Sequence, residues 1–417
     1  MKVLHTSDWH LGIKLDNQYR DEEHKAALKW LSNLIKSEAV EVLIIAGDVF
    51  DVYTPSNSAQ NLYYNFLKSL VNTACQHIVI VAGNHDSPNL LAAAKELLAL
   101  LNIYVVANIS KDLNAQILPL YDNNTQELKT VIAAVPYLSE AVLRSTHKGE
   151  NSEVRHEQIK EAIIQHYEDL AQLISKYDDA KVPFIATGHL FVSGADSGNK
   201  NHLTYLGFSD LIPSTAFPKK FDYIALGHLH KAHPVNKEGN IRYSGSLIPL
   251  DFSESEYQHQ VYIIEFEGKN IKEILSHKVD VPRNLIYKQG KLEEIIQFLQ
   301  AYPSINNTDF KPKMKTWLKV ELQSDKGFMT NVKDQLEPYT IDKNIEILGE
   351  PLQRMIYKDN NFEEGNMAEI RSLESLSVEE VFEMCMTAQN IEQESQNNLK
   401  EDFRALQVWW DEQERNK

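Results

Sequence analysis

At 417 residues, 43% hydrophobic and 24% charged, the chain is too long for one core and too apolar for a disordered or fibrous protein, so two or three globular domains are expected. Its net charge of −17 weighs against strong unaided binding to nucleic acid, unless divalent ions or a partner subunit supply the positive field. Two cysteines, Cys75 and Cys385, cannot build a disulfide framework, no apolar run reaches the roughly 18 to 20 residues of a membrane helix, and Met1-Lys2 leads directly into strand-like Val3-Leu4; a reducing, cytoplasmic setting with no membrane is expected.

The first 250 residues repeat one pattern. A short β-branched and aliphatic run ends in a small turn carrying polar, metal-type side chains, and a helical stretch follows. Lys2–Thr6 leads to Asp8 and His10, and the next amphipathic stretch, His24–Ile35, puts Ala27, Leu28, Leu31, Leu34 and Ile35 on one face. Val42–Ala46 leads to Asp48, and a helix over Ser56–Leu70 follows Pro55. Ile78–Ala82 leads to Asn84 and His85. A longer helix over Val154–Ser175 precedes Phe184–Thr187, which ends at His189, and Tyr223–Leu226 ends at His228 and His230. The fold class is therefore α/β, with five loops delivered to the carboxyl ends of strands, where open α/β sheets gather ligands.

After about Asp280 the metal-type loops stop. A strand near Ile286-Tyr287, a helix Leu292–Gln300, a strand Trp317–Leu322, a helix near Val332–Leu336 and a strand Asn344–Leu348 predict a small α+β domain. The division expected is 1–275 for the main domain, 280–360 for the second, 361–375 for a polar linker and 376–417 for a helical segment. In that last segment Leu399, Phe403, Leu406 and Trp410 form an apolar stripe ending in adjacent tryptophans, with little core left to cover; it serves a partner or packs on the chain's own second domain.

Singly the polar loops are weak signals, since Gly-Asp after a strand is more often a turn and one strand-end histidine is most often a packing residue. In sequence they match what two divalent ions about 3.5 to 4 Å apart require, a bridging carboxylate with N and O ligands on either side. Asp48 is the expected bridge; Asp8, His10 and His230 complete one ion, and Asn84, His189 and His228 the other. This mixed donor set suits Mn²⁺, Fe²⁺ or Zn²⁺ better than Ca²⁺ or Mg²⁺, with Mn²⁺ favoured. His85, beside a ligand but not one itself, is the expected general acid, and a carboxylate would orient its ring, Asp51 first and Asp86 second.

These residues resemble the calcineurin-like metallophosphoesterases. The opening Leu4-His-Thr-Ser-Asp-Trp-His-Leu-Gly12, with Gly47-Asp48-Val-Phe-Asp51, Gly83-Asn-His-Asp86, Gly188-His189, Gly227-His-Leu-His230 and Tyr243-Ser-Gly-Ser246, is similar to their bacterial SbcD branch of DNA-repair nucleases over nearly the whole chain. The resemblance implies a layered sheet sandwich with helices on its faces and a capping domain that holds DNA after Asp280. It also implies terminal helices gripping the coiled coil of an SbcC-type ATPase, and a homodimer within a heterotetramer. The implied activity is Mn²⁺-dependent double-strand exonuclease and single-strand or hairpin endonuclease cleavage of DNA, driven by the partner's ATP hydrolysis. Phosphoprotein phosphatases of the superfamily carry an arginine where this chain has Val52, which speaks against that activity. Two alternatives stand beside the nuclease, since a fold does not choose its substrate. One is a small-substrate metallophosphatase or cyclic-nucleotide phosphodiesterase; the other is a non-catalytic scaffold, against which the full ligand set argues.

Overall fold

The computed structural model describes residues 1–139, 143, 152–193, 212–304, 314–324 and 329–355. The expected linker 361–375 and the segment 376–417, with Leu399, Phe403, Leu406 and Trp410, lie outside the described residues.

In chain order the main elements begin with β1 (Lys2–Thr6), α1 (Asp21–Ser37), β2 (Val42–Ala46), α2 (Asn57–Leu70), β3 (His77–Val81) and β4 (Ile103–Val106). There follow β5 (Ile117–Tyr121), β6 (Leu128–Ala133), α3 (Ser152–Ile174), β7 (Phe184–His189), β8 (Tyr223–Gly227), β9 (Ile241–Tyr243), β10 (Gln260–Glu267) and β11 (Asn270–Lys278). Beyond these come β12 (Leu285–Gly290), α4 (Leu292–Ala301), β13 (Thr316–Ser324), β14 (Ile345–Ile347) and β15 (Leu352–Met355).

The first sheet has the order β11-β10-β1-β2-β3-β4, with β1 to β4 parallel and the β10–β11 hairpin antiparallel beside β1. The second runs from the two-residue strand His233–Pro234 through β9, β8, β7 and β6 to β5, with β6 to β9 parallel. All five residues of β2 are buried, and successive side chains point to opposite faces. Val42 and Ile44 meet Ile132, Ile185 and Ala225 of the second sheet, while Leu43 and Ile45 join the core under α1 and α2. The second sheet's outer face carries α3 through Ile163, Tyr167, Leu170 and Ile174. The result is a four-layer sandwich, helix on sheet on sheet on helix. His5 ties its middle layers together: Nε2–H donates to Leu226 O at 3.1 Å, and Nδ1 accepts from the Tyr223 hydroxyl at 3.0 Å.

Helix ends follow local chemistry. α1 starts three residues earlier than expected, because Asp21, Glu22 and Glu23 fill its first turn, where the helix dipole favours negative charge. Ser56 caps α2 from just outside, its hydroxyl accepting from Ala59 N–H. The described residues between 285 and 355 include a parallel sheet, β12-β13-β14 with β15 also pairing β13, around a core of its own that includes Ile295, Leu299, Leu318 and Leu336. A small cluster of Leu15, Phe252, Leu285, Trp317 and Leu348 seats this sheet on the sandwich. Among the described residues no helix is long and apolar enough to cross a membrane.

Candidate metal centre

The parallel strands deliver their carboxyl ends to one crevice between the two sheets. β1 supplies Asp8 and His10, β2 supplies Asp48, and the turn after β3 supplies Asn84 and His85. His189 is the last residue of β7, and the chain leaving β8 supplies His228 and His230. Crowding explains the glycines that precede these residues. A Cβ at Gly83 would collide with the Asp48 carboxylate and one at Gly227 with Ala46 O, so only hydrogen fits at either position.

Among the described residues three groups of donors result, one of them His10, Asp51 and His85 at the rim. Ligand atoms of Asp8, His10 and His230 lie within 4.8 Å of one another, as do those of Asp48, His189 and His228. Asp48 Oδ2 faces both of these groups, 3.1 Å from His189 Nε2 and 3.5 Å from His10 Nε2. Asn84 Oδ1 lies 3.1 Å from His189 Nε2 and 3.0 Å from His228 Nδ1. Main-chain N–H groups fix the carboxylates, His228 N–H donating to Asp8 Oδ1 and His85 N–H to Asp48 Oδ1. All seven expected ligand residues are thus brought together. His228 and His230, two apart, serve different groups because the chain has left the strand at Gly227.

The tautomers show what the crevice is built to receive. His189 Nδ1–H donates to Ala46 O at 2.9 Å, which turns Nε2 towards the oxygens of Asp48 and Asn84. His10 Nδ1 is engaged by Asp51 Oδ1 at 3.2 Å, and its Nε2 is buried without a hydrogen bond while facing Asp48. His230 Nδ1 is engaged by Glu254 Oε1 at 2.6 Å. An imidazole nitrogen this close to carboxylate and amide oxygens needs a proton or a metal ion between them, and a set of imidazole, carboxylate and amide donors gathered in one crevice fits divalent metal ions. Burial works against charge on both groups, yet Asp48 raises the His189 pKa to about 9, and the protonated imidazole in turn holds Asp48 well below the usual carboxylate range, so the crevice favours a cation beside Asp48.

His85 sits exposed at the rim, its ring 4.8 Å from that of His10. Its environment differs from the expectation that the Asp51 carboxylate, or else Asp86, orients it. His85 Nδ1–H donates to the main-chain oxygen of Asp51 at 2.8 Å, while the Asp51 carboxylate turns to His10. Asp86 is buried and accepts N–H bonds from Val49, Phe50 and Gly83, so it braces the loops instead. Burial, reinforced by Asp48, raises the Asp86 pKa to about 6 despite those bonds. Sequence reasoning missed Glu254, which grips His230 from 24 residues away; Ser7, whose hydroxyl donates to Asp8; and two aromatic neighbours, Tyr137 beside His189 and Phe191 against His228.

Comparison with known proteins agrees with this geometry. The calcineurin-like phosphoesterase family model matches residues 1–232, and a second, described as the type 5 capsule protein repressor C-terminal domain, matches 281–390. The chain is 31% identical over 409 residues to the SbcD subunit of nuclease SbcCD from Escherichia coli strain K12, covering 97% of each chain. It is 33% identical over 277 residues to the Rhodobacter capsulatus SbcD subunit, covering 64% of this chain and 67% of that one. The corresponding figures for the Bacillus subtilis SbcD subunit are 30% over 274 residues, 64% and 66%. The chain belongs to the calcineurin-like phosphoesterases and, among them, to the SbcD family of SbcCD nuclease subunits.

Proposed function

We propose that the chain is a two-metal-ion DNA nuclease, cutting duplex ends as an exonuclease and single strands or hairpins as an endonuclease, within an ATP-dependent complex that processes DNA ends in the cytoplasm. The observation that carries the reading is the convergence of His10 Nε2 and His189 Nε2 on Asp48 Oδ2. Asp8, His10, His230 and Asp48 would hold one ion, and Asp48, Asn84, His189 and His228 the other. Their mix of imidazole, carboxylate and amide donors favours Mn²⁺. Bound there, the two ions supply an activated water and neutralise the phosphate for in-line attack. The leaving oxygen then needs a proton. His85 supplies it: with Nδ1–H fixed on Asp51 O, the protonated ring presents Nε2–H at the rim of the crevice.

The net charge of −17 supports dependence on a partner for DNA affinity. An SbcC-type ATPase fits that role, its coiled coil held by the segment 376–417 through Leu399, Phe403, Leu406 and Trp410, in a heterotetramer built on a homodimer of this chain. Residues 280–360 would cap the site and hold DNA over it. End-labelled hairpin and linear duplex DNA, incubated with the purified protein and Mn²⁺ with and without the ATPase partner, test the reading. Cleavage that needs Mn²⁺ and gains from the partner is expected. A protein that binds two ions, never cuts DNA even with its partner, and hydrolyses a nucleotide or generic phosphodiester would instead be a small-substrate phosphoesterase.

A further inference from the structure

One short turn is held from both ends. The single 3₁₀ turn Phe252–Glu254 carries Glu254, whose Oε1 engages His230 Nδ1 at 2.6 Å while Oε2 accepts the Leu250 N–H at 2.8 Å. Glu254 is buried, 5% exposed, so its carboxylate has no solvent to turn towards. On the other side the same turn is seated on the second sheet. Phe252 packs in one cluster with Leu285 of β12 and Trp317 of β13, and Lys319 of β13 lies over the Phe252 ring at 5.6 Å while paired with Asp16 at 3.1 Å. Just before the turn, the fully buried Arg20 donates from Nη1 to Pro249 O at 3.0 Å, and its guanidinium lies 5.3 Å from the Trp317 ring. Arg283, which leads into β12, lies over the same ring at 4.1 Å and shares Glu23 Oε1 with Arg20.

We propose that Glu254 is a positioning residue for His230, and that the seat of the second sheet on Trp317 and Phe252 sets the hold of the crevice on the ion at Asp8, His10 and His230. The inference rests on the two-ion reading of the site. The physical reason is directional. An imidazole whose Nδ1–H is fixed by a carboxylate presents Nε2 along one line only, and losing such a partner costs on the order of 10- to 100-fold in metal affinity. The ion at Asp48, Asn84, His189 and His228 has no part in this path, because His189 is oriented by Ala46 O in β2. A displacement of residues 285–355 on the sandwich would therefore loosen one ion and spare the other. DNA or a partner pressing on that sheet would act on the chemistry without touching a ligand.

Equilibrium dialysis of the full-length protein against Mn²⁺ alone, with bound metal measured directly, tests this without any activity assay. Wild type is expected to bind two ions. Glu254→Gln, nearly the same size but uncharged, should weaken one ion about 10- to 100-fold and leave the other within about 3-fold. Trp317→Leu, on the far side of the turn, should weaken the same ion by at least about 3-fold under conditions where circular dichroism shows it folded. If Trp317→Leu does not fold, Arg283→Met removes the other stacked cation at the edge of the seat and is read in the same way. Two ions bound as in wild type by Glu254→Gln would overturn the positioning role. A weakened ion in Glu254→Gln beside wild-type binding in a folded seat variant would overturn the link to the second sheet. A wild type that binds fewer than two ions would remove the two-ion reading itself.

Discussion

His85→Ala separates proton donation from metal binding, because the structure divides the residue's two attachments between main chain and side chain. The main-chain N–H that anchors Asp48 Oδ1 at 2.8 Å survives the substitution, and the ring that is lost is exposed, its Nδ1 held by Asp51 O. Stability should therefore change by no more than about 0.5 kcal/mol, and both ions should stay. A positioned general acid contributes roughly 10²- to 10⁴-fold, or about 2.7 to 5.4 kcal/mol at 1.36 kcal/mol per decade. That whole loss should fall on DNA, whose leaving alkoxide needs a proton. On bis-p-nitrophenyl phosphate, whose phenolate departs unaided, the loss should stay under about 10-fold. The assay is kcat for both substrates at saturating Mn²⁺, with bound metal measured in parallel. Equal losses on the two substrates would refute proton donation. Loss of an ion would make His85 a ligand, a real alternative since its ligand atom lies within 4.8 Å of those of His10 and Asp51.

Other expectations can be checked without the partner. Gly83→Ala drives a methyl into the Asp48 carboxylate, so the soluble variant should hold fewer than two Mn²⁺ and lose about 1 to 3 kcal/mol in urea unfolding; unchanged stoichiometry would show that the loop yields. Glu23→Gln leaves Arg20 and Arg283 facing each other beside a buried, uncharged partner and should cost about 3 to 5 kcal/mol. Adding Arg283→Met should recover part of that, and a cost below about 1 kcal/mol would show the pair to be already compensated. Acid should weaken the fold before any ligand is considered. Burial lowers the pKa of His5 to about 3 and of His24 to about 4, against 6.5 for an unfolded histidine. Both contributions are therefore present above pH 6.5 and drain away as the pH falls towards 4, by about 2 kcal/mol per ring at pH 5. Urea midpoints at pH 7.5 and pH 5 should differ accordingly, and His24→Leu should flatten part of the slope; an unchanged slope would place the titrating group elsewhere.

The parts of this molecule that were legible in the sequence are those written in side-chain type and spacing. Strands β1 and β2 could be read to the residue because nearly every position in them is buried, so apolar runs and strands coincide. The clustered polar side chains of the crevice could be read because each follows such a run. What escaped has no such signature. The Asp51 main-chain oxygen that holds His85 is carried by any residue, and the carboxylate drew attention to the wrong atom. Glu254 lies in a three-residue turn with no periodicity, 24 residues from the histidine it grips, and only the folded chain reveals the pair. Arg20, Glu23 and Arg283 are ordinary surface types in the sequence, and packing under Trp317 makes them a buried charge cluster.

Backbone conformation was equally hidden, and it bears on function. Asp8, His10 and Asp48 hold φ values of 52°, 47° and 49°, and His228 holds 102°, all in the range that favours glycine. Aspartate and histidine tolerate that region better than most residues, yet each such position still costs on the order of 1 to 3 kcal/mol. The surroundings impose it. Asp8 N–H is bound to Gly47 O and His10 N–H to Asp48 O, each at 3.0 Å, so the loops after β1 and β2 lock each other in place. Strain at these four positions of the crevice, held by hydrogen bonds between the two loops that carry three of them, means that the crevice takes its shape from the fold. Binding an ion then need not order the loops, and more of its interaction with the donors remains for affinity.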